Sequence, residues 1–153
     1  MTNLFNNIYL WSALLGWFVA QFLKIIVTCV KDRKFSLKIF FKMLMASGGM
    51  PSSHSASACA LAASIAVVEG IDSALFAIAC VFAFIVMYDA QGVRHETGVQ
   101  ARILNKISTD LSTGKTKYID RDLKELVGHT PLQVLAGAIL GILIGALLPF
   151  KFI

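Results

Sequence analysis

Four apolar runs dominate the chain: Ile8 to about Val30, Ser55 to about Val68, Ser73 to about Tyr88, and a last one from Gly128-His129-Thr130-Pro131 to about Leu148. A helix needs ~20 predominantly apolar residues to cross a bilayer. The first run reaches that length; the second is short, which puts its first turn at membrane depth. A hydrophobic fraction of 57% and a mean hydropathy of +0.73 exceed what a soluble domain carries. The chain therefore reads as one membrane domain over residues 1–153. Its expected class is all-α: an integral membrane helical bundle of about four transmembrane helices plus an interfacial or re-entrant helix. The first run lacks a basic leader and a convincing small-residue cleavage site, so it reads as a retained span. The net charge of +5 is dispersed among loops that flank the runs, which argues for a lipid bilayer and against nucleic acid as partner. Cys29, Cys59 and Cys80 lie inside apolar runs without metal-site spacing and read as packing residues.

Within the first run, Gln21 and Lys24 sit three apart and share a helix face. Lys24 either snorkels to the membrane surface or faces a polar cavity and a substrate. After the basic stretch Lys31-Asp32-Arg33-Lys34 comes the segment Phe35 to Ala46, too short and too charged to span. It reads as the interfacial or re-entrant helix, with Lys38 and Lys42 on one face.

That segment leads into the polar turn Gly48-Gly49-Met50-Pro51-Ser52-Ser53-His54-Ser55. The glycines permit unusual backbone angles, and Ser52, Ser53 and Ser55 are each able to cap the helix that follows. The free N–H groups and positive dipole end of a helix start make a natural anion site, here with a histidine in the first turn. A plain Gly/Ser turn between two spans is the alternative. After the third run, the polar stretch Asp89 to Arg102, with Asn105, is expected to prolong that helix beyond the hydrocarbon. Counted along one helix, Asp89, Glu96 and Gln100 fall on one face; they read either as a solvated ion-pairing surface or as oxygen ligands for Mg²⁺. From Ser108 to Glu125 the chain looks like a polar loop plus a short helix.

The last span opens with Thr130 as N-cap and Pro131 in the first helical position. His129, Gln133, Gly137, Gly141 and Gly145 recur every four residues, so one face carries the histidine, the amide and the glycines. Glycines at this spacing predict a close helix–helix contact, which points that face inward.

Basic residues select the cytoplasmic loops. Segment 31–42 holds five of them and segment 94–124 seven, whereas loop 69–72 holds none and carries two acids. Four spans with the N-terminus outside satisfy the rule, and they put His54, Asp89, Arg94 and His129 at the cytoplasmic face of a plasma (inner) membrane. Two helix starts, two imidazoles and nearby cations would favour a phosphate, most simply that of a lipid.

Pro51-Ser52-Ser53-His54 resembles the P-S-G-H motif of the type 2 phosphatidic acid phosphatase superfamily, and His129 with the small-residue helix after it resembles that superfamily's last motif. Gly48 to Ser55, Tyr88 to Asn105 and Leu126 to Gly141 together look like its divergent bacterial and plastid branch, described as acid phosphatase/vanadium-dependent haloperoxidase-related. The resemblance implies metal-independent phosphoryl transfer from a membrane lipid or isoprenoid phosphate, with no cofactor. His129 would attack phosphorus to give a phosphohistidine, and His54 would protonate the leaving alkoxide. Ser52, Ser53, Lys24, Lys38, Lys42, Arg94 and Asp89 would surround the phosphate. Cationic neighbours would keep His129 neutral, while the phosphate would favour protonated His54.

The chain departs from the superfamily pattern at defined positions. The aspartate four residues after the nucleophile is Gln133, and the arginine six residues before it is Leu123 beside Lys124. No Arg-Pro pair matches the first motif; Lys38, Lys42 and Arg94 substitute by location, and Asp89 or Glu125 is available as the missing carboxylate. Three other readings stand beside the lipid phosphatase: a non-enzymatic lipid-phosphate-binding protein, a Mg-assisted phosphatase using the Asp89 cluster, and a small transporter subunit. The transporter is disfavoured because, beyond Gln21 and Lys24, the spans hold no buried charge. The assembly state is left open, an oligomer included.

Overall fold

The computed structural model describes residues 6–32, 49–111 and 129–149. These residues form five helices: α1 (Ile8–Asp32), α2 (Ser53–Glu69), α3 (Ala74–Gln91), α4 (Val93–Leu111) and α5 (Pro131–Leu147). Their starts follow from sequence chemistry. Ser52 caps α2 by accepting the Ser55 N–H, Ser73 caps α3 by accepting the Phe76 N–H, and Thr130 caps α5 by accepting the Gln133 N–H. Pro131 stands in the first turn of α5, where a missing N–H loses nothing. The Phe35–Ala46 segment, expected to be interfacial or re-entrant, lies outside the described residues.

α2 is the centre of the bundle, packed against α5, α1 and α3. α1 runs antiparallel to it: the Tyr9 hydroxyl donates to the Glu69 carboxylate at one end, and Ser57 Oγ donates to the Ala13 carbonyl at 3.0 Å further along. α5 runs parallel to α2 and almost touches it. A Cβ on Gly137, Gly141 or Gly145 would fall 2.2–2.3 Å from the carbonyl oxygen of Ser52, Ala56 or Ala60 respectively. The inward glycine face expected from the four-residue spacing is thus present, and its partner is the Ser52/Ala56/Ala60 stripe of α2. On the α1 side Gly16 reaches the same stripe, its Cβ position lying 2.8 Å from the Ala56 carbonyl. Such contacts let backbones approach to van der Waals distance, the usual way helices pack when apolar burial alone cannot drive them together.

The interior is built of small residues, chiefly Ala20, Ala56, Ala60, Ala79, Ala83 and Ala138, with Ser12, Ser55 and Ser64. The large side chains point outward: on α3 Leu75, Ile78, Val81, Phe84 and Ile85 are all more than half exposed. A water-soluble domain would bury these and display the small ones. α1 and α3 are each long and apolar enough to cross a membrane; α5 is apolar but shorter, at 17 residues or about 25 Å. Of the three cysteines, Cys59 packs in the interior as expected and Cys29 is half-buried. Cys80 is exposed instead, in an open groove that it lines with Cys59, Ala83 and Met87.

One expected element differs. The polar stretch after Tyr88 does not simply prolong α3, because Gly92 ends that helix, its N–H bonding the Tyr88 carbonyl at 2.8 Å, and α4 starts at Val93. After proline, glycine is the residue with the lowest preference for continuing a helix. Asp89 therefore sits on a different helix from Glu96 and Gln100, and the shared face counted along one helix does not follow. Among the described residues, no three His, Cys, Asp or Glu side chains cluster as a metal site would require.

Candidate functional site

The topology gathers the starts of α2 and α5 with the ends of α1 and α3 at one end of the bundle. Two backbone bonds tie them: Ser52 N–H donates to the Gln133 carbonyl at 3.0 Å, and His129 N–H donates to the Ala90 carbonyl at 3.1 Å. His54, in the first turn of α2, and His129, just ahead of the α5 cap, then face each other with ring centroids 6.0 Å apart and planes tilted by 56°. His129 is 4% exposed, and both its Nε2 and the Nδ1 of His54 are buried atoms.

The tautomer of His129 follows from a capping box. Gln133 Oε1 lies 3.1 Å from the Thr130 backbone N and 3.2 Å from His129 Nδ1. A backbone N–H only donates, so the amide atom facing it is the oxygen. That oxygen only accepts, so Nδ1 of His129 carries the proton. In the neutral ring the lone pair is then on Nε2. Gln133 thus stands where the resemblance leads one to expect an aspartate, and it does the orienting but brings no charge. Asp89, offered as a replacement carboxylate, is exposed at the end of α3 and is not the Nδ1 partner; Glu125 lies outside the described residues.

The two helix starts are not equivalent as anion sites. At α5, Pro131 has no N–H and the N–H of Gln133 is taken by Thr130. At α2, Ser53 and His54 hold the first two N–H groups of the helix, which have no intrahelical acceptor. α2 thus has two first-turn N–H groups outside its own hydrogen-bond ladder, and α5 has one, that of Leu132. Ser52 is fully buried, and its Oγ receives both the N–H and the Oγ–H of Ser55, the latter at 3.1 Å, so its side chain serves as the cap. Ser53 and His54 instead line a common cavity.

Lys24 does not snorkel. It is fully buried, its Nζ donates to Gln21 Oε1 at 2.6 Å, and its stem lies against Gly49, where a Cβ would fall 3.0 Å from Lys24 Cγ. Gly49 has φ +99°, so both its conformation and its lack of a side chain make room for the lysine. Lys24 is thereby packed on the turn that leads to His54. Lys38 and Lys42 lie outside the described residues, as does the side chain of Arg94. Two further participants are Thr130, whose N–H sets the Gln133 amide, and Ala90, whose carbonyl anchors His129. The T-x-x-Q spacing of the first is a readable capping-box signal; the second is a tertiary contact that no local pattern announces.

A helical bundle with small residues inside, large apolar residues outside and two histidines at one end defines a membrane-associated protein with a polar site at its rim. The chain belongs to the Divergent PAP2 family, which it matches over residues 5–144. A similar protein is the uncharacterized membrane protein YuiD of Bacillus subtilis, 36% identical over 98% of this chain and 99% of the relative. No solved structure matches the chain significantly.

Proposed function

We infer that the chain is a membrane-embedded phosphatase that hydrolyses a lipid phosphate monoester or diphosphate at the cytoplasmic membrane face. The observation that carries this reading is the Thr130–Gln133–His129 chain of hydrogen bonds, which leaves Nε2 of His129 as the lone-pair nitrogen of the neutral ring, with the His54 ring centroid 6.0 Å away. Family membership supports it. In this mechanism Nε2 of His129 attacks phosphorus, and the P–O bond to the alcohol, or to the bridging oxygen of a diphosphate, breaks. The proton of His54 passes to the departing alkoxide. Water, deprotonated by His54, then cleaves the P–N bond and releases phosphate, returning both histidines to their starting forms. The first N–H groups of α2, Ser53 and the cations Lys24, Lys38, Lys42 and Arg94 supply the charge stabilisation on which phosphoryl transfer depends. No metal is required. α1, α2, α3 and α5 are the four spans, and the bilayer thins or dips around the shorter two.

The direct test is phosphate release by the purified protein from a panel of lipid phosphates, with and without EDTA. Release that EDTA leaves unchanged is expected. Release that EDTA abolishes, together with loss in Asp89→Asn, would favour the Mg-assisted reading. Saturable binding of a lipid phosphate without release would make the chain a lipid-phosphate-binding protein.

Gln133→Asp probes the departure from the superfamily. Aspartate restores the superfamily's residue with a carboxylate one methylene closer to the backbone, and its charge stabilises the imidazolium. Turnover is expected to hold or to rise up to about tenfold, and a loss beyond tenfold would show that the neutral amide is needed.

The orientation is tested by cysteine labelling in a background without native cysteines. Lys34→Cys and Lys115→Cys, both outside the described residues, should react with an impermeant reagent only from the cytoplasm. Ile71→Cys, at a position 75% exposed in the opposite loop, should react only from outside. Outside labelling at position 115 would reverse the topology.

A further inference from the structure

We propose that the groove between α1, α2 and α3 receives the apolar chain of the substrate alcohol and that the chain leaves on the His54 side of the site. The proposal rests on the phosphatase reading and names the substrate class within it. The groove encloses about 250 Å³ and has a polar end and an apolar body. Its polar end is Ser53 and His54, with Ser57, whose hydroxyl donates to the Ala13 carbonyl, next along α2; its body is Trp17 of α1, Ala58 and Leu61 of α2, and Phe82 and Val86 of α3. Two larger apolar grooves, of about 460 and 440 Å³, contain neither histidine nor a serine of the polar turn. They have the character of ordinary lipid-facing clefts, whereas the smaller one is continuous with the residue assigned to protonate the leaving group.

That continuity is what mechanism requires. In-line displacement places the leaving oxygen opposite the attacking Nε2 of His129, and therefore next to His54. Whatever is bonded to that oxygen extends away from His129 along the surface of α2. An alcohol with a long apolar chain finds Leu61, Phe82 and Trp17 there. A small hydrophilic alcohol would leave that surface in contact with water or lipid and gain nothing from it. The groove is lined by α1, α2 and α3, of which α1 and α3 are long and apolar enough to cross a membrane, so on this reading the substrate approaches from within the bilayer and not from the water phase.

The test uses the full-length protein in detergent micelles and two readouts. The first compares a sixteen-carbon alkyl phosphate with a soluble aryl phosphate. Val86→Phe and, independently, Leu61→Phe fill the groove and replace neither histidine. Each should lower kcat/KM for the alkyl phosphate at least tenfold and change that for the aryl phosphate less than twofold. The second readout is binding. Trp11→Phe leaves Trp17 as the sole tryptophan. A non-hydrolysable alkyl phosphonate brominated along its chain should quench it saturably, beyond the quenching by the equally brominated alcohol. Equal loss on both substrates in the two variants, or quenching no greater than the alcohol's, overturns the groove while leaving the phosphatase intact. Phosphonate-specific quenching without hydrolysis of any phosphate leaves the groove in place and overturns the catalytic reading. If neither is seen, both fail.

Discussion

On the proposed mechanism, His129→Ala is expected to lower turnover on every substrate by about a thousandfold or more and to leave no acid-labile phosphoenzyme, because it removes the atom that would bond to phosphorus. The effect is separable from misfolding. His129 is held by its own backbone N–H on Ala90 and by Gln133 next to it, and the backbone bond survives truncation of the side chain. His54→Ala should behave differently. Loss of a general acid typically removes 10²–10⁴ in rate, but only where the leaving group needs the proton. A lipid alkoxide needs it and an aryl oxide much less. In this variant the lipid phosphate should therefore lose at least tenfold more activity than the aryl phosphate, and a phosphoenzyme should still form from the latter. Measuring both substrates and trapping the intermediate in acid or base decides the assignment. Full activity in His129→Ala would refute the phosphohistidine. An equal loss on both substrates in His54→Ala would make that residue a phosphate ligand and not an acid.

The second large effect is structural. Gly141→Leu should greatly reduce the yield of folded protein, whereas Ile142→Leu, one position round the helix, should be tolerated. A Cβ at Gly141 meets the Ala56 carbonyl at 2.2 Å and the Ala56 Cα at 3.0 Å, and backbone of a neighbouring helix has no rotamer by which to yield. The helices must part, and every contact along the α2–α5 seam weakens with them. Overpacking of this kind costs about 1–3 kcal/mol where side chains can adjust, and more where they cannot. Ile142 is half exposed on the outward face, and exchange for leucine conserves its volume. Monodispersity in detergent and thermal melting of the two variants give the comparison. Equal behaviour would mean that the glycine face does not hold the bundle together.

Much of this was visible in the chain before any coordinates. Local chemistry determines helix starts: Ser73 before an apolar run, Thr130 before proline, and a Gly-Pro-Ser turn before an alanine-rich stretch act through atoms a few residues apart. The four-residue repeat from His129 to Gly145 likewise announces an inward face, because helical periodicity converts spacing into direction without outside help. The Gln133–His129 pairing is readable in the same way, being one turn long.

What the tertiary structure alone decided is which small residues the glycines meet, where the lysine goes, and where the polar site opens. Gly137, Gly141 and Gly145 announce a close partner, but nothing local says that it is the Ser52/Ala56/Ala60 stripe on a parallel helix. Lys24 had a sound local reason to snorkel; it is buried because Gly49, 25 positions on, vacates the space for its stem and Gln21 receives its ammonium group. The break at Gly92, which separates Asp89 from Glu96, pits a weak local preference against the packing of two helices, and spacing cannot settle such a contest. The approach of His54 to His129 depends on two backbone bonds between segments some eighty and forty residues apart, Ser52 to Gln133 and His129 to Ala90. Sequence chemistry determined that both histidines stand at helix starts. Only the packing of three helices through their smallest residues decided that those starts meet.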